Sequence, residues 1–136
     1  MSLNHGKSVI LRLIDKKPEI GKTAVMKCIF FLQKAFGMKL GYPFEIYTYG
    51  PYSSDVSEDL DSLSFNNLIS SEIYTFNNFS AYKLTAADNA TRLAQAISDD
   101  DNRRLDRVLE LFGSETVKKL ELFSTILYFA DLYERI

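Results

Sequence analysis

Residues 53–85 read SSDVSEDLDSLSFNNLISSEIYTFNNFSAYKLT, and the fold turns on how this stretch is patterned. In its first half Val56, Leu60 and Leu63 recur at helical spacing, giving one narrow apolar face on a helix that runs to about Phe65. Ser53 or Ser54 can cap its start, and Asp55 and Glu58 fall near its positive end, where a carboxylate is favoured. Two strand-like runs follow, Ile69 to Phe76 and Phe79 to Leu84, divided by Asn77-Asn78. Asn tolerates positive φ, so this pair predicts a two-residue hairpin turn. Thr85, with Asp88 three residues on, predicts a capped helix through Ile97. Leu60, Leu63, Ile69, Tyr82 and Leu84 are expected to face the core. Helix, hairpin, helix in this order is the layout of a winged helix. The expected fold is therefore α+β, mostly helical, with a winged-helix-like core and C-terminal helices.

Towards the N-terminus, Val9, Ile10, Leu13 and Ile14 predict a helix from about Asn4 to Lys16, stopped by Pro18. A second helix is expected from about Lys22 to Phe36, ended by Gly37. It is apolar nearly all round, with only Lys27, Gln33 and Lys34 marked for water, as in a central helix. Phe44 to Tyr49 reads as a short strand broken by Gly50-Pro51. Tyr49-Gly50-Pro51-Tyr52-Ser53 then reads as a rigid corner, because Pro51 sets φ while Gly50 frees the turn.

Beyond the hairpin, helices are expected over about Asn102–Phe112 and Ser114–Tyr133, divided by Gly113. The last carries two apolar stripes. Leu120, Phe123, Leu127 and Ala130 form one; Leu122, Ile126, Phe129 and Tyr133 form the other; Lys118, Glu121, Thr125 and Tyr128 make a narrow mixed side. One stripe is enough to dock a peripheral helix, so the second predicts a homodimer contact. No repeat or linker divides the chain, and one domain over 1–136 is expected: a core over about 4–97 and a helical extension over about 98–136.

Met26-Lys27-Cys28-Ile29-Phe30-Phe31-Leu32, Tyr49-Gly50-Pro51-Tyr52-Ser53, and Leu60, Leu63 and Asn67-Leu68-Ile69 together resemble the YwgA-like group of prokaryotic proteins. More distantly the chain is similar to Panacea domains, which occur as antitoxins. The resemblance spans about residues 5–86, and the Tyr-Gly-Pro-Tyr-Ser segment is its most specific part. It implies a small helical domain of winged-helix character and a protein-neutralising role.

Charge narrows the partner. Residues 1–39 hold eight Lys/Arg against two acids, whereas residues 40–82 hold six acids and no Lys or Arg at all. A DNA-reading helix and wing need cations for phosphates, and here both lack them. The expectation is a non-catalytic protein-binding domain that contacts its partner through Tyr49, Tyr52, Asp55, Glu58, Asp59, Phe76 and Phe79. The alternative is a DNA-binding regulator using Lys22, Lys27, Lys34, Arg103, Arg104 and Arg107. Gly21-Lys22-Thr23 lacks the upstream glycine and strand of a phosphate loop. His5, the only histidine, has no neighbouring base, and Cys28 lies in the apolar helix as a buried thiol would. Asp99-Asp100-Asp101 reads as a polar turn between helices. No catalytic residue, metal or cofactor is expected, although Tyr47, Tyr49 and Tyr52 gathered around buried carboxylates would point to an enzyme. A single cysteine and no apolar run of spanning length predict a cytoplasmic protein with no membrane segment.

Overall fold

The computed structural model describes residues 3–135. Asn4 caps the first helix, α1 (His5–Lys16), its side chain accepting from the Lys7 amide at 2.9 Å. Val9, Ile10, Leu11, Leu13 and Ile14 are all fully buried. A two-residue strand, β1 (Ile20–Gly21), leads directly into α2 (Lys22–Lys34). Helix α2 is buried from Ala24 to Leu32 and is the centre of the domain. It ends two residues sooner than the sequence suggests, and Gly37 follows with φ 70°.

The segment after α2 is tied back by Gln33, whose side-chain amide donates to the Tyr42 carbonyl and accepts from the Tyr42 amide. Gln33 therefore serves this loop rather than water. The expected single strand is a small hairpin, β2 (Glu45–Tyr47) paired with β3 (Gly50–Tyr52). Gly50-Pro51 does not break the strand; Gly50 adopts φ 98° and opens its return half. Helix α3 (Ser54–Phe65) follows, capped by Ser53, with Val56, Leu60 and Leu63 buried.

Strands β4 (Ile69–Phe76) and β5 (Phe79–Ala86) form the expected hairpin, with Asn77 and Asn78 at φ 48° and 65°. Strand β5 also pairs with β1, so the sheet order is β1-β5-β4. Only the base of the hairpin lies over the body. Ile69 and Leu84 are buried, but Tyr82 is 46% exposed and its cross-strand partner Ile73 is 61% exposed. Tyr82 shares a face with Leu84 yet stands where the hairpin has already left the core, which corrects its expected inward placement.

The helix expected to start at Thr85 does not form. Thr85 and Ala86 continue the ladder, opposite Ser70 and Ile69. The chain then makes one 3₁₀ turn, Ala90–Leu93, and runs extended along α1. There the Leu93 carbonyl accepts from the Leu3 amide, the Gln95 amide donates to Ser8 Oγ, and the Gln95 carbonyl accepts from Arg12. These bonds to α1 hold the segment extended in place of helical pairing.

Two helices complete the chain. Ser98 caps α4 (Asp99–Phe112), so the three aspartates belong to its first turn rather than to a loop, where they oppose the helix dipole's positive end. Thr116 caps α5 (Val117–Glu134). Phe112 of α4 stacks on Phe31 at 4.0 Å between ring centroids, and Tyr128 of α5 lies beside Phe30. The result is a mostly helical α+β fold with a small antiparallel sheet. No helix among the described residues is long and apolar enough to cross a membrane.

Candidate functional site: a tyrosine corner over a buried lysine

Helix α2 places Lys27 beneath the β2–β3 hairpin, 3% exposed. Its Nζ donates to the carbonyls of Tyr49 at 2.9 Å and Pro51 at 2.8 Å. Burial pulls its pKa down, while the Glu121 carboxylate on α5 partly restores the charged form. Lys27 was expected in solvent and among cationic contacts to nucleic acid. Instead, the outer carbonyls of a tight hairpin have no ladder partner, and an ammonium with three donors supplies one from below.

The hairpin approaches closely enough that a Cβ on Gly50 would lie 3.0 Å from Thr125 Oγ1 and 3.3 Å from Lys27 Nζ. Thr125 and Ser124 sit on the side of α5 that faces the domain. Ser124 is fully buried and turns its hydroxyl back to the Leu120 carbonyl at 2.6 Å. The corner thus lies between α2 and α5, and the Tyr49–Ser53 segment has its carbonyls held by Lys27, a residue the sequence did not mark for it.

Above this anchor the aromatic side chains point outward. Tyr49 is 70% exposed, Tyr47 and Tyr52 are exposed, and the latter two rings meet edge to face at 5.3 Å. The Tyr47 hydroxyl donates to Glu45, which raises its pKa. Two of the three tyrosines meet, and the carboxylate beside them, Glu45, is exposed rather than buried. Asp55 and Glu58 continue the exposed face onto α3, whereas Asp59 is half-buried and accepts from the Tyr42 hydroxyl at 2.6 Å. Asp59, expected as a partner contact, is engaged within the chain. The backbone of the hairpin tip pairs Phe76 with Phe79; the side chains of these two expected contacts lie outside the described part of the structure.

The remaining cations are mostly engaged. Lys34 bridges to Asp131 at 3.2 Å, Arg103 to Asp100, Arg104 to Asp101 at 2.7 Å, and Arg107 to Glu110 at 3.5 Å. Arg104 also donates to the Phe36 carbonyl, and Lys22 reaches over the Tyr82 ring. Cys28 is fully buried in α2, and burial pushes its thiol pKa up to about 12, as an inert core thiol requires. No protein-family model matches the chain, and no curated protein matches it.

Proposed function

We propose that this chain is a non-catalytic protein-binding domain, of antitoxin or adaptor type, whose winged-helix-like unit presents the tyrosine corner and the acidic side of α3 to a basic protein surface. The winged-helix reading is supported by the order α1, β1, α2, α3, β4, β5, into which the small β2–β3 hairpin is inserted between α2 and α3, and by a sheet ordered β1-β5-β4. One observation carries the functional reading: Tyr47, Tyr49 and Tyr52 are held exposed on a hairpin whose backbone is fixed from below by a buried lysine. Tyrosine gives large contact area with little rotamer entropy to lose, and a pre-fixed backbone lowers the cost of binding further. The adjoining Asp55 and Glu58, with no Lys or Arg in residues 40–82, favour a positively charged partner.

DNA binding is the less favoured reading. It loses Lys27 to the interior, and four of its other five cations stand in ion pairs. The discriminating experiment is affinity capture from the source cells with wild type and with a Tyr49→Ser, Glu58→Lys variant, followed by titration of any captured protein. The reading expects one partner lost from the variant, with affinity reduced at least roughly tenfold. Unchanged capture, or salt-sensitive micromolar binding to random duplex DNA, would count against it.

A further inference from the structure

Helix α5 has two unlike sides. The side facing the domain packs Leu120, Leu127 and Tyr128 on the core among Ser124, Thr125, Glu121 and Asp131, and it meets Lys27, the β3 backbone and Lys34. The side facing away carries Leu122, Ile126, Phe129 and Tyr133, exposed at 56, 58, 43 and 76%, with Phe123, 38% exposed, at its edge beside Phe112. With Leu132 at their edge these side chains leave roughly 600 Å² of apolar surface in water, near the ~800 Å² that each partner of a standard interface buries. A soluble monomer rarely exposes such a patch.

The charges on α5 indicate what covers it. Lys118 and Lys119 stand in its first turn, with Lys119 4.0 Å from Glu115, and Glu134 closes its last turn ahead of the C-cap Arg135, which pairs with Asp131 at 3.4 Å. Both local pairs are on the surface and weak, and a cationic start with Glu134 near the end is complementary to a second copy running the opposite way. Lys119 and Glu134 also lie about two turns on either side of Ile126. A two-fold axis at Ile126 sets Lys119 of one copy beside Glu134 of the other, Leu122 beside Phe129, and Phe123 beside the small Ala130. A parallel pair would set lysines against lysines.

We infer that the outward face of α5 packs against the same face of a second copy of this chain, with the two helices antiparallel and the symmetry axis at Ile126. This surface is distinct from the tyrosine corner, so the dimer presents two corners to partners. Sedimentation of the full chain from about 1 to 100 μM tests it. Wild type is expected as a dimer in the upper part of that range. Ile126→Glu is expected to be monomeric with an unchanged far-UV spectrum, because its side chain is already half in water. Lys119→Glu or Glu134→Lys alone should weaken the dimer by roughly tenfold, since symmetry repeats each ion pair, and the double exchange should restore it. A monomeric wild type at 100 μM, or a dimer that survives Ile126→Glu, overturns the pairing. Failure of the double exchange to restore affinity overturns the antiparallel register.

Discussion

Helices α2 and α5 have similar apolar content but resolve it in opposite ways. In α2 every residue from Ala24 to Leu32 is buried, including Lys27; in α5 only Leu120 and Ser124 are. The difference lies in what each buried polar group demands. Lys27 cannot stay inside without acceptors, and the hairpin carbonyls that serve it need a close roof. The small and polar residues of α5 supply that roof, because Ser124 and Thr125 let β3 approach and Glu121 favours the ammonium. A large apolar side chain in their place would force the hairpin away. Helix α5 therefore turns Ser124, Thr125 and Glu121 inward beside Leu120, Leu127 and Tyr128, and leaves Leu122, Ile126, Phe129 and Tyr133 exposed.

The contrast breaks most visibly at Phe30. Its ring is fully buried and touches Phe31, Phe44 and Tyr128 at centroid distances of 6.0, 5.1 and 6.4 Å. Phe30→Ala should lower unfolding free energy by about 3–5 kcal/mol, read from the urea midpoint at unchanged slope. A loss under about 1 kcal/mol would mean that α2 is not the centre of the domain.

Lys27→Met comes next. It keeps the volume of the stem but leaves the Tyr49 and Pro51 carbonyls unpaired under the hairpin. A loss of about 2–4 kcal/mol is expected, together with faster amide exchange at the corner and weaker partner binding. If Lys27→Met were neutral, the lysine would not be what holds Ser124, Thr125 and Glu121 of α5 inward.

Much of this was legible from local rules. The Ser53 cap, the Asn77-Asn78 turn, and the buried Val56, Leu60 and Leu63 follow from single-residue preferences and spacing. The failures arose where a distant segment decided. Thr85 looks like a cap until Ser70 offers it a ladder, and Tyr82 follows the alternation correctly on a hairpin that overhangs. Lys27 looked like a solvent residue because nothing in α2 announces two carbonyls more than twenty positions away. Both stripes of α5 were visible, and Leu120 and Leu127 of the first pack on the core.

A smaller effect appears at alkaline pH. Burial holds the Cys28 thiol up at about 12 against an ordinary 9.0, and burial with the Asp59 hydrogen bond raises Tyr42 as well. For a group whose folded pKa is raised, the stabilisation is complete below the unfolded pKa and is lost as pH climbs towards the folded one. Stability should therefore fall from about pH 9, by at most about 1.4 kcal/mol per unit for each group. Lys27 has the opposite sign: its pKa is lowered from 10.5, so a rise in pH towards that value removes a penalty. Cys28→Ala should be less stable at neutral pH yet show a flatter decline between about pH 9 and 11, by urea midpoints. An equally steep decline would remove Cys28 from the account.

The smallest effect is the one expected on the outward face of α5. Ile126 and Phe129 are 58 and 43% exposed, and Ile126 lies outside the core, so the monomer gains little from Ile126. Ile126→Glu should change the stability of a single chain by no more than about 0.5 kcal/mol, an order of magnitude below Phe30→Ala. Because a dimer adds a concentration-dependent term, the comparison is the urea midpoint of Ile126→Glu against wild type extrapolated to infinite dilution. Equal midpoints there, with wild type alone gaining stability as concentration rises, would place the whole value of this face in association. A variant that is itself several kcal/mol weaker at infinite dilution would mean that this face of α5 packs within the chain, and the contrast with α2 would disappear.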